Sequence, residues 1–154
     1  MTILAIDPGP EKSGWIVYQP RESVLIPRSS IEGNDQLLQR IRGGEFPCEK
    51  VDQVVIEDIR PYGQAVGNEV YETLRYIGSL CEAVKAADGY GPKCGARIVL
   101  MPRSKVRGHL CPGRYKGGDK EVRAALLRRF GKEVLVGVTG HLWSALALAV
   151  TLDE

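Results

Sequence analysis

Two unbroken apolar runs, Ile3-Leu4-Ala5-Ile6 and Val54-Val55-Ile56, each stop on a carboxylate, Asp7 and Glu57. A short apolar run bounded by turn residues reads as a buried strand. The first strand spans residues 2 to 6 and meets the turn Asp7-Pro8-Gly9-Pro10. The second spans residues 53 to 57 and leads into Arg60-Pro61-Tyr62-Gly63. Each strand therefore presents an acid at its C-terminal edge, and any fold that makes them neighbours brings the two acids together.

The remaining pattern supplies such a fold. Residues 14 to 19 and 23 to 29 read as two further strands, and with the first they form an antiparallel meander. Residues 34 to 42 read as a short helix capped by Asn34. A long amphipathic helix follows, with Val66, Val70, Leu74, Ile77, Cys81 and Val84 at helical spacing. Residues 97 to 101 form a fifth strand. Residues 119 to 130 form a basic helix with Val122, Ala125, Leu126 and Phe130 inward, and residues 141 to 152 form a nearly apolar, buried helix. The order β-β-β-α-β-α-β-α-α implies an α/β domain with a mixed five-stranded sheet flanked by helices. It is similar to the RNase H-like fold. A chain of 154 residues makes one domain, residues 1 to 154, large enough for its own core.

Paired carboxylates repel unless a cation lies between them or one takes a proton. Hard oxygen ligands suit Mg²⁺ or Mn²⁺. Two ions about 3.5–4 Å apart can activate water and stabilise the leaving oxygen in phosphodiester hydrolysis. Taken singly, Asp7 before Pro-Gly reads equally as a turn residue, and Glu57 as a solvated acid. Side chains alternate along a strand, so only one of Glu57 and Asp58 faces the site. The apolar run before it favours Glu57.

The net charge is only +2, but residues 97 to 129 hold ten bases and two acids, a net of +8 that leaves −6 for the rest. Such concentration is the footprint of a phosphate-backbone binder, although a solvated helix face has the same composition. Arg60, Arg103, Lys105, Arg107, Arg114, Lys116 and Lys120 are the candidate phosphate contacts. Gly113, Gly117 and Gly118 suggest a loop over residues 103 to 120 that orders on DNA. Tyr62 is a candidate wedge against an unstacked base, or else an aromatic packed on its own turn. Asp119, an acid within this basic segment, reads first as a helix N-cap and second as an auxiliary ligand.

No apolar run reaches the length of a membrane span, and the first residues lack the basic region of a signal peptide. The expected location is the cytoplasm. Cys48, Cys81, Cys94 and Cys111 form no C-x-x-C pair and read as free thiols. A zinc site from Cys94, His109 and Cys111 matches no common ligand spacing.

Ile6-Asp7-Pro8-Gly9 with Ser13-Gly14 resembles the opening of RuvC-type Holliday junction resolvases, and Val55-Ile56-Glu57 resembles their second acidic motif. Tyr62-Gly63, Val66-Gly67, Glu72-Thr73 and Ile77-Gly78 are similar to the phage and prophage branch. So are His109-Leu110-Cys111, residues 119 to 131, and the run from His141 through Trp143 to Ala147. The resemblance covers nearly the whole chain. It implies an RNase H-like homodimer that binds branched DNA and cuts two opposed strands with Mg²⁺ or Mn²⁺. It carries the metal-site acids onto Asp7 and Glu57. Two further metal-site positions, three apart on the last helix, fall on His141 and Ser144. His141 can ligate a metal or position water, or simply cap its helix. Ser144 stands where an acid is expected.

Three rival readings remain at this point. One is a nuclease of the same fold acting on other DNA or RNA structures. Another is a catalytically silent DNA-binding module, motivated by Ser144. The third is an actin-like nucleotide-binding half-domain, which would need a second lobe.

Overall fold

The computed structural model describes residues 1–20, 28–45, 51–61, 63–87, 92–113 and 118–154, with backbone alone at 92–95. Five strands, β1 (Ile3–Asp7), β2 (Lys12–Tyr18), β3 (Ser29–Gly33), β4 (Val51–Asp58) and β5 (Pro92–Pro102), form one sheet in the order β3-β2-β1-β4-β5. The first three pair antiparallel, and β4 joins β1 and β5 in parallel. The helices are α1 (Asn34–Gly43), α2 (Asn68–Ala86), α3 (Arg103–Leu110), α4 (Asp119–Phe130) and α5 (His141–Asp153).

Strand alternation sorts the central residues between two cores. Leu4, Ile6, Trp15, Val17, Val54 and Ile56 pack with Leu37 and Ile41 of α1 and with Ile77, Leu80 and Val84 of α2. Ile3, Ala5, Ile16, Tyr18 and Val55 face the other way, onto α5 and Leu126 of α4. The α5 helix lies against β1 and β2, and Ala145, Ala147 and Ala149 are small enough to let it approach closely. Its buried Leu and Val side chains each contribute roughly 1.5–3 kcal/mol by leaving water.

The β1–β4 register sets Ile6 beside Ile56, so Asp7 and Glu57 follow side by side. Asp7 shares the parity of Ile3 and Ala5, and Glu57 that of Val55. Both acids therefore emerge on the α5 face. Among the described residues no helix is long and apolar enough to cross a membrane.

Four expectations change. The third strand lies at Ser29–Gly33, later than residues 23 to 29; residues 23 to 27 fall outside the described set. Only Ile31 of that strand packs on the core, while Glu32 is bound by Trp15 and Arg40, so no apolar run marks it. Gly33, not Asn34, caps α1. Asn34 instead donates from Nδ2 to the carbonyls of Gly9 (3.0 Å) and Pro10 (3.2 Å) and accepts at Oδ1 from the Ser13 hydroxyl (2.7 Å), tying down the turn after β1. The buried stripe of α2 is Thr73, Tyr76, Ile77, Leu80, Ala83 and Val84, so Ile77 and Leu80 are committed to the core. Finally, residues 103 to 110, expected in a loop, form α3.

Candidate active site

Asp7 is the most enclosed acid of the site, 5% exposed at the C-terminal end of β1. The Nδ1–H of His141, in the first turn of α5, donates to Asp7 Oδ2 at 2.7 Å in the tautomer that satisfies both groups. Gly140, at φ 47°, precedes His141 and caps α5, so His141 is not the cap. Its partnership with Asp7 raises the imidazole pKa, against the opposing effect of partial burial.

Two glycines permit this contact. A Cβ on Gly14 would stand 2.5 Å from Cβ of His141 and 2.8 Å from its carbonyl carbon. A Cβ on Gly9 would stand 2.4 Å from the Lys12 carbonyl oxygen and 3.2 Å from Cε1 of His141. Neither role is evident from chemistry-bearing residue types; the only trace is the pair of motifs Asp7-Pro8-Gly9 and Ser13-Gly14.

Glu57 shares the cleft. Burial, then the hydrogen bond and charge of the adjacent Asp7 carboxyl, push its pKa up to about 8, with Arg103 opposing and Asp119 adding to the shift. This is the behaviour of two acids crowded together without enough positive charge between them. Asp58, of opposite parity, bonds Nε of Arg60 at 2.6 Å.

Cationic side chains and Asp119 complete the walls. Arg103 reaches Glu57 Oε1 from Nε at 3.8 Å and Asp119 Oδ1 from Nη2 at 2.6 Å. Arg107 Nη2 lies 3.6 Å from the same Asp119 oxygen. Arg60, Arg103 and Arg107 line the cleft with Asp7, Glu57 and His141, as does Ser144. Arg123 also lines it, held over the Trp143 ring at 5.8 Å. Sequence reasoning passed over Arg123, although it follows Asp119 by one helical turn on α4. Lys105 is exposed on α3 away from these walls, and Lys120 lines a separate groove with Cys111 and Arg128. Tyr62, Arg114 and Lys116 lie outside the described residues.

Asp119 does not cap α4, contrary to expectation. Gly118 is the cap, and its N–H is taken by Glu121 Oε2 at 2.8 Å. The zinc alternative finds no support at His109, which pairs with Glu154 at 2.7 Å.

Among the described residues no three His, Cys, Asp or Glu side chains already form a metal cluster. The donor set nevertheless fits Mg²⁺ or Mn²⁺. Magnesium keeps several waters and usually takes one or two carboxylates plus substrate phosphates. Asp7 and Glu57 are two crowded carboxylates of that kind, with His141 beside them.

No protein-family model and no curated protein matches the chain. Solved structures do. T. thermophilus RuvC in complex with a Holliday junction substrate aligns at TM-score 0.68 and 21% identity, over 98% of this chain and 91% of that one. A second Thermus thermophilus RuvC structure gives 0.67 and 19%, over 98% and 92%. Fowlpox virus resolvase with Holliday junction DNA gives 0.52 and 12%, over 99% and 96%. The chain has the RuvC-type RNase H-like fold. At these identities the likeness establishes the architecture, and the site must be argued from its own residues.

Proposed function

We propose that this protein is a structure-selective endonuclease that hydrolyses phosphodiesters in branched DNA, Holliday junctions above all, with Mg²⁺ or Mn²⁺. The observation that carries the reading is the meeting of Asp7, Glu57 and His141 at one sheet end, beneath a cleft lined by Arg60, Arg103, Arg107 and Arg123. Two of the structures sharing this fold hold Holliday junction DNA.

In this mechanism Asp7 and Glu57 would hold the divalent ion, and when bound it would supply Lewis-acid polarisation of the phosphodiester and a lowered pKa for the attacking water. Asp7 fixes the imidazole of His141 through Nδ1, which leaves Nε2 to orient the water or the scissile phosphate. The arginines hold flanking phosphates and position the strand without reading its sequence. Lys105 and Lys120, and with them Arg114 and Lys116, extend the contact along the DNA arms. Tyr62, two residues after Arg60 in sequence, is proposed to meet a base at the branch point. Cutting two opposed strands requires two such sites, so the working unit is a homodimer.

A substrate panel tests the specificity. Four-way junctions are expected to be cut in preference to duplex, flap and RNA substrates of equal length. Preferential cleavage of another structure would assign the site to a different nuclease. Metal-independent binding with no cleavage of any substrate would identify a silent DNA-binding module.

A further inference from the structure

Ser144 and Asp119 line the same space, although they come from different helices. Both border the main cleft, and both border the adjoining recess floored by Val106, Val122 and Leu148, together with Glu57 and Arg103. Ser144 brings no charge to it. Asp119 does, and although a first-turn acid suits the α4 dipole, the cap itself does not use it. The α4 cap is satisfied by Glu121, which leaves the Asp119 carboxylate available to the cleft. Its bond to Arg103 joins side chains that are 47% and 56% exposed. An exposed pair of that sort contributes little to folding. The same guanidinium also faces Glu57. One monovalent cation thus links Asp119 to a metal-site acid, on the side of the site where α5 offers only a hydroxyl.

We propose that Asp119 supplies the acid that Ser144 lacks, and that the Arg103 guanidinium linking it to Glu57 is the charge a divalent cation displaces. This rests on the metal-dependent reading of Asp7 and Glu57. Asp119 acts on the cation directly or through one of the ion's own waters. Arg103, once released, is free to take a backbone phosphate. The charge deficit left by Ser144 is thereby met from α4, across the cleft.

The test is the affinity of the full chain for Mn²⁺ without DNA, measured by titration calorimetry. Asp119→Asn is expected to weaken binding by about 10–100-fold, the range seen when groups supporting a metal ligand are removed. Ser144→Asp is expected to restore most of that loss when added to Asp119→Asn and to gain much less in wild type, a non-additivity that a merely structural role for Asp119 would not give. Arg103→Gln alone is expected to tighten Mn²⁺ binding. Asp119→Asn in that background must still weaken it, because the competing guanidinium is gone. Wild-type affinity in Asp119→Asn in both backgrounds would overturn the role of Asp119. Failure of Ser144→Asp to restore binding, or an equal gain in wild type and in Asp119→Asn, would overturn the exchange of positions. Undetectable Mn²⁺ binding by wild type would instead remove the metal reading, and Asp7→Asn is the control that separates the cases.

Discussion

A methyl group at position 14 would lie within 3.0 Å of three atoms of His141, two of them backbone. The backbone of α5's first turn cannot yield as a flexible side chain would. Gly14→Ala is therefore expected to push His141 off Asp7 and to cost about 1–3 kcal/mol, the usual range for overpacking. Thermal unfolding would show the destabilisation, and junction cleavage should fall with it. Glu57 gives a second residue-scale expectation. Its folded pKa is raised to about 8 from an ordinary carboxyl value. A raised pKa means that stability is fully present below the unfolded value and is lost as pH rises through about 8. His141 shifts in the same sense. In chelator, wild type should lose stability between pH 5 and pH 8.5 by on the order of 1–2 kcal/mol more than Glu57→Gln does. Mn²⁺ should reverse much of the wild-type loss and leave Glu57→Gln unchanged. Equal pH profiles for the two proteins would mean that Glu57 is not crowded by Asp7.

At the scale of elements, the acids were legible because apolar runs announced β1 and β4 and strand parity fixed the face on which each acid emerges. The last helix was legible for the same reason: thirteen residues, nine of them apolar, with an apolar run from Ala145 to Val150, admit little else. The third strand was not, since Ser-Ser-Ile-Glu-Gly offers one large apolar side chain, only half-buried, and looks like a turn. Nor was α3, where Val106 is the buried residue of the helix and no periodic stripe exists. The role proposed for Asp119 rests on α3, because that helix places Arg103 between Asp119 and Glu57. In α2 the periodic residues were found, but the buried stripe is rotated toward Thr73, Tyr76 and Leu80. Ile77 and Leu80 are thereby committed to the core, and Tyr71, 55% exposed, is the large apolar residue that α2 leaves at the surface. The arginines of α3 also carry a quantitative expectation. If Arg103 and Arg107 each neutralise a phosphate, replacing either by Ala should reduce the slope of log affinity against log salt by about 1. Junction binding measured across a salt series checks this, and an unchanged slope would remove both residues from the DNA contact.

For the whole molecule, charge and architecture point the same way. Eight of the ten bases of residues 97 to 129 lie on β5, α3 and α4, and Arg103, Arg107 and Arg123 among them converge on the cleft where Asp7 and Glu57 meet. The solved structures with this fold agree in topology over nearly the full chain, at identities of 12 to 21%. Sedimentation at working concentration is expected to give a dimer, as two opposed cuts demand; a monomer that cuts both strands would require sequential action instead. The most direct measurement is cleavage of a synthetic four-way junction in Mg²⁺ or Mn²⁺ by wild type, Asp7→Asn and Glu57→Gln. Wild type should release paired nicks, and both variants should still bind the junction while cutting at least about 100-fold more slowly, the scale of losing a principal electrostatic group at the reacting centre. Cleavage by both variants at the wild-type rate would contradict the account.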